Sequence, residues 1–100
     1  MADLIALSIN GVSIRLTDER WGHIVRRHVV MATQQAAVLA TLADPDSIHE
    51  GKASSLIVVK RQDGLYCIVV YKEIDQADGF VITSYLTRRP GRWRLIQKRY

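Results

Sequence analysis

Leu56-Ile57-Val58-Val59-Lys60-Arg61-Gln62-Asp63-Gly64-Leu65-Tyr66-Cys67-Ile68-Val69-Val70-Tyr71-Lys72 is the stretch that decides the fold class. Leu56 to Arg61 is apolar and β-branched, a composition that suits a pleated surface. Gln62-Asp63-Gly64 supplies a tight turn, and Leu65 to Lys72 returns as a second strand. A polar loop over 73–79 follows, then Phe80 to Thr87 reads as a third strand. Pro90-Gly91 breaks the chain. Beyond it, Trp93 to Gln97 reads either as a final edge strand or as a loosely held tail.

Working upstream, Leu4 to Ile9 and Val12 to Leu16 flank Asn10-Gly11. Asn-Gly between apolar runs predicts a hairpin whose two turn residues both take positive φ. Val12, Ile14 and Leu16 alternate onto one face. A helix should follow, with Thr17 as N-cap and with Asp18 and Glu19 at the positive end of its dipole. Trp21, Ile24, Val25 and His28 recur at helical spacing on one side. A second, alanine-rich helix is expected from about Thr33 to Leu42, stopped by Ala43-Asp44-Pro45-Asp46. Helices and strands are segregated along the chain, which specifies α+β. The expected fold is an N-terminal β-hairpin, two helices, then an antiparallel β-meander packed on the helices. It forms a single domain over 1–100, with the hairpin in 1–16, helices in 17–43, and sheet plus basic C-terminal segment in 56–97. One sheet face packs on the helices and the other stays open to a ligand.

Composition bounds the function classes. The chain has 100 residues, 48% of them hydrophobic, enough for one packed core. No apolar run approaches the ~20 residues that span a bilayer. Met1-Ala2-Asp3-Leu4 has no positive segment before an apolar stretch, which argues against a secretory leader. Cys67 is the sole cysteine and cannot form an internal disulfide, which fits a reducing, cytoplasmic setting. The net charge is +4, and after Asp78 no acidic residue occurs. That same stretch carries Arg88, Arg89, Arg92, Arg94, Lys98 and Arg99. A local basic excess attracts polyanions such as nucleic acid; equally, it is a solvated tail that aids solubility.

Candidate chemistry concentrates in two places. On the last full strand, Phe80, Ile82, Ser84 and Leu86 should face the core, and Val81, Thr83, Tyr85 and Thr87 the opposite side. Hydroxyls donate to phosphate oxygens and a tyrosine ring stacks on a base, although Thr and Tyr are also ordinary strand residues. His28 ends the first helix on its apolar side, and an imidazole there suits proton transfer or compensation of the helix C-terminus. His23 falls on the opposite, polar side, with Arg27 one turn on, and His49 lies in an expected loop. Lys60, Arg61, Lys72, Arg88 and Arg89 sit near strand ends, able to hold phosphate or to guard sheet edges. There is no GxGxxG and no P-loop, so no cofactor is expected. There is no HExxH or cysteine pair, and His23 and His28 are about 140° apart around a helix, so no metal site is expected. Cys67 reads as a buried apolar residue.

Three segments together carry a family resemblance. They are Leu16-Thr17-Asp18-Glu19-Arg20-Trp21-Gly22-His23-Ile24-Val25-Arg26-Arg27-His28, Asp44-Pro45-Asp46-Ser47-Ile48, and Gly79-Phe80-Val81-Ile82-Thr83-Ser84-Tyr85-Leu86-Thr87-Arg88-Arg89. Over roughly residues 12–89 the chain resembles the phage- and bacterium-associated nucleases of the barnase/EndoU/colicin/RelE-like fold. The resemblance implies helices packed on an antiparallel sheet, and metal-independent RNA cleavage on the exposed sheet face. It implies a helix-end histidine, matched by His28, and basic residues on the central strands, matched by Lys60 or Arg61. It also implies a hydroxyl-bearing last strand, matched by Thr83, Tyr85 and Thr87. Relatives often continue the helix end as His-Pro, whereas Val29 follows His28 here.

The expected function is a toxin-like endoribonuclease acting on tRNA or mRNA, with an antitoxin protein as a possible partner. His28, Tyr85, Thr87 and Lys60 form its expected catalytic set. Arg27, Arg61, Thr83, Arg88 and Arg89 are its expected substrate contacts. The alternative is a non-catalytic RNA-binding or protein-interaction domain on the same fold.

Overall fold

The computed structural model describes residues 3–98. Arg99, counted among the tail cations, lies outside the described residues, as do Met1, Ala2 and Tyr100. Seven strands form one sheet in the order β1-β2-β6-β5-β4-β3-β7. They are β1 (Leu4–Leu7), β2 (Ser13–Leu16), β3 (Ser47–Glu50), β4 (Leu56–Gln62), β5 (Leu65–Glu73), β6 (Gly79–Thr87) and β7 (Leu95–Lys98). Helices α1 (Asp18–Arg27) and α2 (Gln35–Ala43) are joined by a 3₁₀ turn at Val29–Thr33. The class is α+β, with the hairpin first, then the helices, then the remaining sheet packed on them. No helix among the described residues is long and apolar enough to cross a membrane.

Local chemistry accounts for most elements. The Thr17 hydroxyl accepts the Arg20 N–H at 3.1 Å, so the expected N-cap forms. Asp63 and Gly64 both take positive φ, which closes the β4–β5 hairpin in two residues. The first hairpin differs from expectation. Only Gly11 has positive φ, and the Gly11 N–H bonds to the Ser8 carbonyl at 2.8 Å. The loop is therefore a three-residue one, and Asn10 instead donates its side chain to Glu73 at 3.1 Å.

The sheet is mixed, not a pure antiparallel meander. β2 pairs parallel with β6, through Ile14 with Gly79 and Arg15 with Phe80. A Cβ at Gly79 would lie 2.5 Å from the Lys72 carbonyl oxygen and 2.6 Å from Ile14 Cδ1, so only glycine fits this junction. Arg15 then clamps Asp78 with two bonds of 2.9 and 3.0 Å. The segment expected as a loop around His49 is strand β3, paired with β4 on one side and β7 on the other.

The core lies between the helices and one sheet face. Ile14, Leu16, Ile24, Met31, Val38 and Leu42 meet Val58, Cys67, Val69, Tyr71 and Val81 there. Burial pushes the Cys67 thiol up, which fits an apolar packing role. The opposite face carries a smaller cluster of Ile57, Val59 and Ile68, flanked by Tyr66, Val70, Tyr85 and Trp93. It is not simply open. β6 and β7 run parallel at a distance of four strand positions, so residues 88–94 must cross this face. Four strand spacings need about 19 Å, and seven residues span at most ~25 Å. The crossing segment is thus a nearly extended strap, with Trp93 packed on the cluster beneath it.

Candidate functional site

α1 presents two neighbouring stripes. Ile24 is buried in the core with Trp21 packed against it, as helical spacing requires. Arg20, His23, Ile24, Arg27 and His28 recur at i, i+3, i+4, i+7 and i+8, and this flank forms one wall of a cleft of about 440 Å³. Ile82, Thr83 and Tyr85 of β6 form the other wall. His28 is held at its backbone from both sides: its N–H donates to the Ile24 carbonyl at 2.8 Å, and its carbonyl accepts from Met31 at 2.9 Å. Its ring lies 5.5 Å from the Tyr85 ring, centroid to centroid, tilted by 34°.

A β-bulge shapes the second wall. Val70 pairs with Thr83 but Tyr71 pairs with Val81, so Ile82 is an extra residue in β6. Simple alternation therefore holds only beyond the bulge. Ser84 is buried, donating its hydroxyl to the Ile68 carbonyl at 2.7 Å, and Leu86 packs on the core. Before the bulge the expectation inverts: Val81, assigned to the open face, is in the core, and Ile82, assigned to the core, lines the cleft. Because β2 engages β6 only at Gly79 and Phe80, the outer edge of β6 from Val81 to Thr87 has no strand partner among the described residues. Backbone groups along such an edge are open to a ligand.

Electrostatically the cleft is cationic. Its lining includes two arginines and two histidines, and no carboxylate. Arg20, Arg27, His23 and His28 have no side-chain hydrogen bond or ion pair among the described residues. Burial pushes the Tyr85 phenol up, so it stays protonated and acts as a hydrogen-bond donor at neutral pH. An anion entering here meets side-chain donors and no carboxylate.

The structure brings His28, Arg27, Thr83 and Tyr85 together and separates the rest of the expected set. The Lys60 ammonium donates to the Asp44 carbonyl at 2.7 Å, beyond the C-terminal end of α2. Lys60 shares its side of β4 with the core residue Val58, the sheet side away from Tyr85. The Arg61 side chain is exposed, and its N–H is taken by Asp46 at 2.8 Å. Arg61, Tyr66 and Thr87 are cross-strand neighbours. The Thr87 hydroxyl closes the following turn, donating to the Arg89 carbonyl at 3.1 Å and accepting from the Arg89 N–H. Arg88 and Arg89 are exposed just beyond the end of β6. Sequence reasoning missed His23 and Arg20, whose spacing with Arg27 and His28 was the available signal.

No family model matches the chain, and neither a curated protein nor a solved structure matches it. Among the described residues, no group of three or more His, Cys, Asp or Glu side chains is placed to hold a metal ion. The functional reading therefore rests on the cleft.

Proposed function

We propose that this chain is a metal-independent RNA endonuclease of the barnase/EndoU/colicin/RelE-like group, acting as a toxin-like protein in the cytoplasm. The observation that carries the reading is the convergence of His23, His28, Arg20, Arg27 and Tyr85 in one carboxylate-free cleft at the unpaired edge of β6. Internal transesterification of RNA needs a general base, a general acid and donors for the charge on the phosphate, and this set can supply all three. One histidine removes the proton from the ribose 2′-OH, whose oxygen attacks the adjacent phosphorus. The P–O5′ bond breaks, and the second histidine protonates the leaving 5′ oxygen. The products are a cyclic 2′,3′-phosphate and a free 5′-OH. Arg20 and Arg27 neutralise the charge gathering on the non-bridging oxygens. The protonated Tyr85 phenol and the Thr83 hydroxyl add donors, and Arg88 and Arg89 take flanking phosphates.

The test is incubation of purified protein with total RNA and with tRNA in EDTA, beside a His28→Ala variant. Cleavage giving cyclic phosphate ends, reduced at least ~100-fold in the variant, is expected. Undiminished cleavage by His28→Ala would refute the mechanism. A second reading, a non-catalytic RNA-binding domain, draws support from one observation: among the described residues no protein group hydrogen-bonds to either histidine ring, as the partner of a catalytic base commonly does. Salt-sensitive RNA binding without cleavage by the parent protein would favour it. On the nuclease reading, an antitoxin protein is the expected regulatory partner.

A further inference from the structure

Ile82, Thr83 and Tyr85 belong to two cavities at once. Besides lining the cleft, they form one side of a larger cavity of about 700 Å³ on the sheet face. Ile57 and Val70 lie at its apolar base, and Arg92, Trp93 and Arg94 of the strap form the opposite side. Lys52, in the 3₁₀ turn after β3, also lines it. A volume of this size suits a small polar-aromatic group.

The indole of Trp93 is held in place from two directions. His49 meets it edge-on, with centroids 5.8 Å apart and planes at 60°. The His49 ring is itself fixed by a 2.8 Å hydrogen bond between its Nε2 and Ser47 Oγ. On another side the indole lies so close to Gly91 that a Cβ there would fall 2.6 Å from Trp93 Cζ2. The ring thus has a fixed orientation before any ligand arrives, while its N–H has no acceptor among the described residues. Around it, Arg92 has no acidic partner among the described residues, and Arg94 is only loosely paired with Glu50 at 3.5 Å.

We propose that this cavity is a nucleobase subsite, in which Trp93 stacks on the base of the nucleotide next to the scissile phosphate. Three features favour a base over other occupants. The aromatic surface is pre-oriented, so stacking costs little ordering. Lys52, Arg92 and Arg94 beside it suit the phosphate attached to that base, with Glu50 the one carboxylate in the lining. The shared wall of Ile82, Thr83 and Tyr85 makes the subsite continuous with the cleft, so one single strand occupies both. The inference rests on the cleft being the cleavage site, and it assigns the substrate as unpaired RNA at this position. A base in a duplex has no free face to offer Trp93.

The experiment uses the full chain with Trp21→Phe, leaving Trp93 as its only tryptophan. Saturable quenching of its fluorescence by adenosine 5′-monophosphate, and none by ribose 5-phosphate, is expected. In the same chain, Trp93→Ala should weaken binding of a short oligoadenylate about 5- to 150-fold, the loss of one stacked base. Trp93→Phe should recover most of it, because a π face is restored; loss in both variants with native circular dichroism would overturn the stacking assignment. Equal quenching by ribose 5-phosphate would overturn it too, leaving phosphate recognition by arginine alone. RNA cleavage without any nucleotide quenching would refute the subsite and leave the nuclease reading intact. Quenching without cleavage would uphold base stacking and refute the nuclease reading.

Discussion

Replacing Tyr71 by Phe should stabilise the protein, and the reason lies in the core beneath the bulge. Tyr71 is fully buried in β5, and its hydroxyl has no hydrogen-bond partner among the described residues. Ser8 is close to it, but the Ser8 proton goes to Glu73 at 2.7 Å and its oxygen takes the Val12 N–H at 3.2 Å. A buried hydroxyl left without a partner costs about 1–3 kcal/mol. Phe keeps the ring and removes only the oxygen, so the packing loss is small. The expected net gain is about 1 kcal/mol, which raises the Tm by about 4–8 °C in a domain of this size. Alkaline pH sharpens the contrast. Burial, and then the charge of Glu73, push the Tyr71 phenol from 10.0 up to about 12. The folded value lies above the unfolded one, so this contribution is fully present below about pH 10 and is lost as pH rises through 12. That loss is worth about 3 kcal/mol, and the Phe variant does not suffer it. Urea unfolding followed by circular dichroism, at neutral pH and in steps to about pH 12, measures both effects. A lower midpoint for Tyr71→Phe at neutral pH would mean that the phenol has a partner, and the reasoning would fail.

Two further predictions address the junction and the cleft. Gly79→Ala forces a Cβ against the Lys72 carbonyl and Ile14, and should cost about 1–3 kcal/mol in a thermal melt; an unchanged Tm would show that β2 does not dock on β6 as described. Arg27→Ala should leave the melt unchanged and reduce the salt dependence of single-stranded RNA binding by about 0.7 in the log–log slope, one phosphate contact. An identical slope, read by filter binding across salt concentrations, would remove Arg27 from the phosphate path.

Which parts of this architecture are legible in the sequence follows from how each is stabilised. β4, β5 and β6 announce themselves because their apolar, β-branched runs are long and their hairpin closes on Asp63-Gly64. β3 does not, because Ser47, His49 and Glu50 offer no alternation of apolar residues and only Ile48 reaches the main core. Its strand geometry is imposed by neighbours on both sides, through pairs such as Ile48 with Val58 and with Gln97. The bulge is invisible for a related reason. Nothing in Val81-Ile82-Thr83 marks an extra residue; the mismatch exists only in the register against β5. A one-residue slip exchanges the two faces, so an error at Ile82 reverses every assignment on the glycine side of it. The crossing strap was equally hidden, since its path depends on β7 pairing with β3 rather than beside β6.

The same two irregularities explain why a cleft forms at this edge. β2 leaves β6 after Phe80 because its chain turns into α1 at Thr17. From there the helix, not a strand, neighbours β6, and a helix cannot satisfy a strand edge with backbone bonds. The space between them is therefore a cleft with open backbone groups on one wall. The bulge places both Ile82 and Thr83 along that wall, ahead of Tyr85. On the other wall, only the flank of α1 next to its buried stripe can reach in, and Arg20, His23, Arg27 and His28 occupy it. Reading α1 by its apolar stripe alone locates Ile24 and His28, which border both stripes, and misplaces His23. Arg20, His23 and Arg27, at i, i+3 and i+7 beside an apolar stripe of the same period, give the helix one flank toward the core and one toward the cleft.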